Sequence, residues 1–533
     1  MKSALSEAFS KQKNLINLVY LLALIKFILP YLIQNSVYDP HRDEFLYLAE
    51  SHHMAWGYLE VPPMMSVFGY LTNLMGGGIF WIKIWASLFG AITYILVARL
   101  ILLFGGQLFA IITGFMPFVL GYYMHVHFMF QPNFLDMFFW TLMAYGLILY
   151  IKTEKTSGLY TAGIALGLGI MSKYSISFFA ISLLIGLLLT TERNILLKKH
   201  FYYALLIGLI ICLPNLTWQY LHGLPFATQA KELQDKQLQN VNRIDFLKFQ
   251  ILYNIPCIFT WTVGLCWLFF TNAGKPYRFI GWAFLIVMAI FVMGQGKGYY
   301  GMSAYPVLFA FGAVSLERFT AGRFKYLRYV TIAFSLVIGC YLDTVTLPFL
   351  PPKQLVAYYA RNGLFSKLGF LTWEDQKTHP LPQDFADMLG WQEMTAKVSG
   401  VYKILPDSVK KKFVIECDNY GENAAVDYYG PLYNLGPTIG QSANYLFWTP
   451  LTDFYDKETF IIVTDDRNEI HEDFIKEFES AAVADSITNP YAREFGSYIL
   501  LLKHPSAKFR KIWEGYYESA RQKTSLFPII KKS

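Results

Sequence analysis

The chain has 533 residues, of which 54% are hydrophobic and only 16% are charged, whereas soluble proteins carry about 25% charged residues. This composition excludes an ordinary water-soluble protein and requires a lipid environment for much of the chain. The formal net charge of +7 does not indicate a nucleic-acid-binding protein, because the basic residues fall mainly in short loops between apolar segments. The 5 cysteines show neither a disulfide framework nor the spacing of a zinc site.

The apolar segments predict a polytopic α-helical membrane protein. A spanning helix needs roughly 20 predominantly apolar residues, and about eleven segments qualify. The N-terminal lysines, followed by an apolar segment without a small-residue cleavage site, predict an uncleaved first span. A long apolar segment is split near Ser172-Lys173, because a lysine in mid-bilayer is costly. The predicted spans are Leu15–Ile33, Ile79–Phe104, Leu108–Tyr123, Phe134–Ile151, two within Leu159–Thr190, Phe201–Trp218, Phe246–Phe270, Phe279–Met293, Gly301–Leu316 and Tyr329–Leu347.

The distribution of basic residues predicts the orientation of the spans. Lysines and arginines concentrate in alternate loops and at the N-terminus, which places the N-terminus in the cytoplasm. The loop after the first span is then on the outer side. Its segments from Asp43 to Trp56 and from Pro63 to Leu74 are predicted to form amphipathic helices along the membrane surface. An odd number of spans places the C-terminal segment outside as well.

After Pro348 the charge density becomes that of a soluble protein, so two domains are predicted, a transmembrane domain 1–347 and an extracytoplasmic α/β domain 348–533. No glycine-rich phosphate loop opens a helix in the second domain, and no chemistry is assigned to it. Its predicted strands are Lys412–Glu416, Phe460–Thr464 and Tyr498–Lys503, and its predicted helices are Gly421–Tyr429 and Asp473–Ala482.

The pair Asp43-Glu44 in the first outer loop is the main catalytic candidate. Two readings are open. Carboxylates in the first turn of a helix favour the macrodipole and cap free amides. Alternatively, one carboxylate is a general base and its neighbour tunes it or helps to bind a metal ion. Adjacent residues on a helix diverge by about 100°, so Asp43 is predicted as the base and Glu44 as its support.

A third carboxylate, Glu60, precedes Val61, Pro62 and Pro63. The residue before a proline is held extended, and the two prolines stiffen the return of the chain to the membrane. Pro62 and Pro63 are therefore predicted as structural residues that aim Glu60 towards Asp43. An ordinary exposed glutamate is the alternative.

The segment between the third and fourth spans supplies His125 and Asp136. His125 and His127 are two positions apart, which suits a strand more than one face of a helix, so the signal for a metal site is weak. Asp136 opens the fourth span. An ionisable residue close to the bilayer is a functional candidate, although a carboxylate at a helix N-terminus is equally well explained by the helix dipole. Glu60, Asp136 and His125 are the supporting or metal-binding candidates.

Two lysines, Lys173 and Lys297, lie at the predicted outer ends of spans. Lys297 stands in Gly296-Lys297-Gly298-Tyr299-Tyr300, where the glycines allow close approach of the backbone to a ligand. A cation on the outer side runs against the positive-inside pattern and indicates an anionic ligand such as phosphate. Snorkelling of the lysines to lipid headgroups is the alternative.

These pieces, in this order, resemble the membrane glycosyltransferases of the C-type superfamily that use polyprenyl-phosphate sugars. The most similar group is the family 39 protein-mannosyltransferase-like group, whose relatives include the lipid A aminoarabinose transferases. The matching residues are Arg42-Asp43-Glu44, Gly57-Tyr58, Pro62-Pro63, Gln131-Pro132-Asn133 with Asp136, Gly167-Leu168-Gly169 with Ser172-Lys173-Tyr174, Pro214-Asn215-Leu216 with Trp218-Gln219, Gly296-Lys297-Gly298-Tyr299-Tyr300 with Tyr305-Pro306, and Asp427-Tyr428-Tyr429-Gly430.

The resemblance implies an inverting displacement at the sugar C1, with Asp43 acting at the acceptor. It also implies that the leaving lipid phosphate is held by Lys297 and Lys173, beside Tyr299 and Tyr300. In the aminoarabinose transferases a Glu-Lys pair precedes the prolines, whereas here Val61 follows Glu60. A divalent metal ion is left open as a cofactor.

The expected function is sugar transfer from a polyprenyl-phosphate carrier to a glycolipid, protein or glycan at the outer face of a bacterial inner membrane. A lipid or small-anion transporter is the alternative. A transporter places charges near the membrane midplane, often in paired repeats, whereas here they cluster at one predicted face. A non-catalytic scaffold is a third reading, and it predicts that Asp43→Asn is silent.

Overall fold

The structure is a computed structural model that describes residues 2–236, 238, 242–450, 456–465 and 472–526. The chain divides into two compact units. The first consists of Met1–Gln34, Lys83–Leu216 and Leu233–Leu347. The second consists of Asn35–Ile82, Thr217–Glu232 and Pro348–Ser533. The segment Asn35–Ile82, which contains the predicted first outer loop, therefore groups with the C-terminal segment, and the predicted boundary at residue 347 did not anticipate this.

Helices make up most of the chain before Pro348. They are α1 Lys2–Ile33, α2 Arg42–Glu50, α3 Met64–Leu74, α4 Ile79–Leu103, α5 Leu108–Phe115, α6 Tyr122–Val126, α7 Asn133–Thr153, α8 Ser157–Ile170, α9 Ile176–Leu188, α10 Lys199–Leu221, α11 Pro225–Lys236, α12 Arg243–Asn254, α13 Ile258–Phe270, α14 Arg278–Met293, α15 Pro306–Phe319 and α16 Leu327–Asp343. Within the described part of the chain, six helical segments are long and apolar enough to cross a membrane, and a seventh is obtained if α9 and the 3-10 helix Thr191–Leu197, bent by 114°, form one span.

Shorter helices occupy the remaining predicted spans. α5 and α8 are apolar but have only 8 and 14 residues, and α15 and α16 have 14 and 17. Length and composition alone therefore give six or seven spans, and the count of eleven stays a prediction. The predicted break near Lys173 is present, because α8 ends at Ile170 and α9 begins at Ile176.

Small residues allow helices of the first unit to pack closely. α7 and α8 meet where Gly146 faces Gly158, and a Cβ added to Gly146 would lie 2.5 Å from the Gly158 carbonyl oxygen. This close backbone approach is typical of helix pairs in membranes, where packing replaces the hydrophobic effect as the driving force.

The second unit contains a four-stranded sheet and further helices. The strands are β1 Phe413–Cys417, β2 Thr459–Thr464, β3 Phe478–Ser486 and β4 Tyr498–Pro505, and the helices are α17 Pro352–Arg361, α18 Leu364–Leu368, α19 Gln383–Ala386, α20 Trp391–Lys403, α21 Asp407–Lys410, α22 Tyr420–Tyr429, α23 Tyr445–Trp448, α24 Glu472–Ile475 and α25 Ala507–Lys523. The strand order is β1-β2-β4-β3. β1 and β2 are parallel, and β4 pairs antiparallel with β2 and β3.

The three predicted strands match β1, β2 and β4, but the predicted helix Asp473–Ala482 is wrong. Only its first residues are helical, in α24, and β3 begins at Phe478. β3 is mostly exposed and pairs only with β4 among the described strands. An exposed edge strand lacks the alternating burial that marks a strand in the sequence, and its pairing with β4 decides its conformation.

Helix α2 is part of the core of the second unit. Phe45 is fully buried and its ring packs against Trp391, Tyr428 and Tyr429, with centroid distances of 6.1, 5.2 and 5.7 Å. Burial of a phenylalanine stabilises a fold by about 2–3 kcal/mol. This packing fixes α2 against α22 and thereby places the residues at the start of α2.

Candidate active site

Helix α2 begins with a capping box. The ring Nδ1 of His41 accepts a hydrogen bond from the Asp43 amide at 3.2 Å, and the Glu44 carboxylate accepts one from the His41 amide at 2.7 Å. These bonds satisfy amides that have no partner within the helix. The capping alternative thus accounts for Glu44, which is completely buried. Its predicted support of Asp43 stays a prediction.

The carboxylate of Asp43 is held by a residue from α22. The Tyr420 hydroxyl donates a hydrogen bond of 2.8 Å to Asp43 Oδ1, and the Arg42 guanidinium lies 4.5 Å from the centre of the Tyr420 ring. The Asp43 side chain remains 27% exposed. A carboxylate that is fixed by a hydrogen bond and still partly exposed has the geometry of a general base that can accept a proton from a substrate.

His41 also joins an ion-pair network at the start of α2. Its Nε2 lies 3.4 Å from Asp387 and 3.8 Å from Asp384. Burial lowers the pKa of His41, but the carboxylates of Asp43, Asp387 and Asp384 outweigh it and raise the pKa overall. Arg493 lies 3.1 Å from Asp387, and despite burial the pKa of Asp387 is lowered by His41 and Arg493.

This network brings His41, Asp384 and Asp387 close enough to surround a metal ion. The tautomer argues against that role. Because Nδ1 accepts the Asp43 amide hydrogen, the ring proton of neutral His41 resides on Nε2. Nε2 then points a proton, not a lone pair, at the two aspartates. We interpret the group as a polar network, with Arg493 as the cation paired with Asp387, that fixes the N-terminus of α2.

The second carboxyl group of the predicted site, Glu60, is bound by Asn444. Asn444 Nδ2 donates to Glu60 Oε2 at 2.8 Å and to Glu50 Oε1, at the end of α2, at 3.1 Å. Asn444 Oδ1 accepts the amide hydrogen of Leu59 at 3.0 Å. One buried carboxamide therefore fixes two carboxyl groups and the backbone beside one of them.

The two prolines after Val61 are buried, as expected for structural residues. Pro63 caps the start of α3 with φ of −74°, a value that the proline ring itself sets. Upstream, the Tyr58 amide donates to the Val61 carbonyl at 3.2 Å. This closed turn carries Glu60 and limits the directions in which its side chain can point.

The pKa values of Glu50 and Glu60 are both raised. Burial and the neighbouring Glu60 raise the pKa of Glu50 well above its usual range. Burial, opposed by the Asn444 hydrogen bond and reinforced by Asp43 and Glu232, raises the pKa of Glu60 to about 8. Two carboxylates a few ångströms apart in a protein environment repel each other by about 3–4 kcal/mol. The pair therefore retains a proton at neutral pH.

In the first unit, the carboxylate of Asp136 accepts three hydrogen bonds. Its oxygens accept from Trp140 Nε1 at 2.8 Å, Ser175 Oγ at 2.8 Å and Ser303 Oγ at 3.0 Å. The side chain is almost completely buried. Asp136 thereby connects α7 to Ser175, close to Lys173, and to Ser303 in the 3-10 helix Gly298–Ala304.

The predicted phosphate-binding residues of the first unit lie together. Lys173 Nζ donates to Asn133 Oδ1 at 2.6 Å and lies 5.5 and 5.1 Å from the ring centres of Tyr299 and Tyr300. Lys297 is near enough to act on Lys173 as a like charge. Two neighbouring ammonium groups with tyrosine rings form an environment that favours an anion. Their role in binding phosphate stays a prediction.

Each of the three predicted metal-binding candidates has hydrogen-bond partners of its own. The His125 Nδ1 pairs with the Thr346 carbonyl at 3.0 Å, Glu60 is bound by Asn444, and Asp136 accepts three hydrogen bonds. Each of these residues already has protein partners, and a divalent metal ion stays a prediction.

Sequence reasoning missed Glu50, Tyr420 and Asn444 as site residues. Asp427-Tyr428-Tyr429-Gly430, which contributed to the resemblance, ends α22, the helix that begins at Tyr420. Nothing in the sequence around Asn444 distinguishes it from an ordinary loop asparagine. Its role follows only from contacts with residues almost 400 positions away.

Comparison with known families gives one match. Residues 60–218 match the family model described as dolichyl-phosphate-mannose-protein mannosyltransferase. The matched region begins at Glu60 and includes Asp136 and Lys173. No curated protein matches the sequence.

Solved structures show the fold. The chain is similar to the crystal structure of ArnT from Cupriavidus metallidurans in the apo state, with a TM-score of 0.60, 11% identity, and coverage of 92% of this chain and 98% of that one. A second structure of that ArnT, bound to undecaprenyl phosphate, gives a TM-score of 0.58 at 12% identity, covering 91% and 97%. The resemblance found in the sequence is confirmed. The family model covers residues 60–218 of this membrane protein, and the two ArnT structures, at 11% and 12% identity, show the fold.

Proposed function

We propose that this protein transfers a sugar from a polyprenyl-phosphate carrier to an acceptor at the extracytoplasmic face of a bacterial inner membrane. The observation that carries the proposal is the Asp43 carboxylate, fixed by Tyr420 at 2.8 Å and still accessible. The mannosyltransferase family match and the ArnT fold support the same reaction class. The ArnT structure bound to undecaprenyl phosphate supports a carrier of that chemical type.

In this reaction Asp43 accepts the proton of the acceptor hydroxyl. The hydroxyl oxygen then forms a bond to the sugar C1 while the bond from C1 to the phosphate oxygen breaks, and the configuration at C1 inverts. Tyr420 keeps Asp43 in one orientation by donating to Oδ1. Oδ2, which lies 3.9 Å from His41 Nδ1, receives the proton. A base positioned in this way typically contributes 10²–10⁴-fold to a rate.

Lys173 and Lys297 hold the donor phosphate in this proposal. The charge that develops on the leaving phosphate needs preorganised cations, and Lys173 is fixed by Asn133 and the two tyrosine rings. Asp136 maintains this arrangement through Ser175 and Ser303. It acts as a positioning residue and does not contact the substrate.

The testing experiment uses purified protein in lipid, a radiolabelled pool of polyprenyl-phosphate sugars, and a crude envelope extract as the acceptor. Loss of label from the carrier is measured for the wild type and for Asp43→Asn. Asp375→Asn, an exposed carboxylate paired with His379, is the matched control. We expect loss of label with the wild type and the control, and none with Asp43→Asn. Equal label loss with Asp43→Asn would contradict the proposal. Retention of label by the wild type, with donor and acceptor present, would favour a transporter or a scaffold.

A further inference from the structure

Asn444 connects the C-terminal segment to two carboxyl groups of the first outer loop. Its Nδ2 atom donates to Glu50 Oε1 at 3.1 Å and to Glu60 Oε2 at 2.8 Å. The distance between the two accepting oxygens therefore cannot exceed the sum of these two distances. Asn444 is buried, and its Oδ1 is held by the Leu59 amide. The carboxamide is therefore fixed at both ends and cannot rotate without losing a bond.

The surroundings make one of the two carboxyl groups hold a proton. Glu50 is completely buried, and its Oε2 has no hydrogen-bond partner in the described part of the chain. Burying an unpaired carboxylate is costly, so Glu50 is the neutral member. Glu60 is only partly buried, and it lies at the boundary between the buried pair and solvent.

We propose that Asn444 is a positioning residue that joins Glu50 and Glu60 into one proton-sharing pair, and that Glu60 is the second proton-exchanging group of the site, beside Asp43. This inference deepens the proposed function and rests on it for the catalytic part. It also gives the C-terminal segment a direct role in the proposed proton transfer. Tyr420 binds Asp43 at the start of α2, and Asn444 binds Glu60 together with Glu50, the last residue of α2.

The groups that face Glu60 come from three elements. Asp43, Tyr47 and Glu50 belong to α2 and Glu232 belongs to α11, while Asn444 immediately precedes α23. The carboxyl groups among these neighbours disfavour a carboxylate at Glu60. The Asn444 hydrogen bond acts in the opposite direction and stabilises the carboxylate. Asn444 therefore lowers the pKa of Glu60 towards neutral pH, and removal of its side chain should raise that pKa.

Infrared spectroscopy tests the pair without any substrate. The carbonyl band of protonated carboxylic acids is followed as the pH is raised, in the wild type and in Glu60→Gln. We expect a component that disappears with a midpoint of about 8 and is missing in Glu60→Gln. In Asn444→Leu this midpoint should move upward by about one pH unit, because a hydrogen bond to a charged group is lost.

Asn423→Leu is the matched control. Asn423 is a buried asparagine of α22 whose side-chain amide donates to Thr438 and Ile439 and not to either glutamate, so its removal should leave the midpoint unchanged. If Asn444→Leu does not fold, the smaller Asn444→Ala removes the same donor without adding a charge and should move the midpoint in the same direction. The absence of a band that depends on Glu60, or an identical midpoint in the Asn444 variants, would overturn the proposal.

A kinetic arm separates this inference from the proposed function. The pH profile of the transfer rate should contain a limb near the infrared midpoint, and Asn444→Leu should shift that limb and lower kcat about tenfold with little change in the KM of the donor. An inactive wild type contradicts the proposed function but leaves the infrared result to decide the proton-sharing pair. An active wild type whose pH profile is unchanged in Asn444→Leu overturns the catalytic part of this inference.

Discussion

Tyr420 donates a 2.8 Å hydrogen bond to Asp43, although the two residues are 377 positions apart in the sequence. The bond is possible because α2 packs on α22 through Phe45 and the tyrosines of α22. The residue that orients the proposed base thus comes from the segment to which the sequence assigns no chemistry.

Loss of this bond should slow transfer without abolishing it. In Tyr420→Phe the ring under Arg42 is retained, but Asp43 loses its fixed orientation. A hydrogen bond to a charged group contributes about 1.5–3 kcal/mol, so we expect kcat to fall by about tenfold to a hundredfold. Tyr428→Phe, which removes a bond from the same helix to the Gly77 carbonyl, is the control. Equal rates for Tyr420→Phe and Tyr428→Phe would show that Tyr420 does not orient the base.

The raised pKa of Glu60 predicts a pH-dependent stability. Glu60 titrates at about 8 in the folded protein and near 4.5 otherwise. Between these values the folded state binds more protons than the unfolded state, so the free energy of unfolding falls as the pH rises from about 5 to 8 and then levels off. Because Glu60 keeps partial contact with solvent, we expect a contribution of about 2 kcal/mol.

Denaturant unfolding in detergent, followed by tryptophan fluorescence at several pH values, measures this effect. Glu60→Gln should flatten the dependence between pH 5 and 8. Glu458→Gln is the control, because Glu458 is paired with Lys412 and its pKa is lowered, outside this pH range. The same slope in Glu60→Gln and the wild type would mean that Glu60 is ionised throughout.

Removal of a lysine from the first unit should weaken donor binding selectively. In Lys297→Ala one of two neighbouring cations is lost, and we expect the affinity for polyprenyl phosphate to fall about tenfold, as for the loss of one charge-assisted hydrogen bond. The KM of the acceptor should not change. Lys275→Ala, on an exposed turn between α13 and α14, controls for net charge. Unchanged donor affinity in Lys297→Ala would remove Lys297 from the phosphate site.

Phe45 is far from the C-terminal segment in sequence, but its packing predicts that a substitution there strongly destabilises the second unit. Phe45→Ala leaves a cavity between Trp391 and the tyrosines of α22 and should destabilise the second unit by about 3–5 kcal/mol. Phe495→Ala, at a 58% exposed phenylalanine of the same unit, should change stability by less than about 0.5 kcal/mol. Limited proteolysis and thermal unfolding measure both variants. Similar losses in the two would contradict the role of Phe45 as a core residue.

The sequence was sufficient for the features that depend on local pattern. Apolar segments predict the helices, the cost of a buried lysine predicts the break at Lys173, and the order of short motifs predicts the family resemblance. β3 was missed because an exposed edge strand has no clear alternation. The association of Asn35–Ile82 with the C-terminal segment was missed because it depends on tertiary packing around Phe45.

The residues of the candidate site also fall into two groups: those that a local sequence pattern reveals and those that depend on contacts distant in the sequence. Asp43 and Glu60 are recognisable from their place beside a helix start and a proline pair. Glu44 has a capping role that the same local pattern offers as an alternative. Tyr420, Glu50 and Asn444 depend on contacts across almost 400 positions, and no periodicity in one sequence encodes such contacts.

The central claim is tested most directly by measuring both products of transfer in one reaction. Polyprenyl phosphate and the glycosylated acceptor are quantified by mass spectrometry after incubation of the lipid-embedded protein with donor and acceptor. We predict that the wild type forms the two products in equal amounts and that Asp43→Asn, folded and inserted to the same extent, forms neither. Equal product formation by Asp43→Asn, or movement of intact donor across the bilayer by the wild type without either product, would contradict this account.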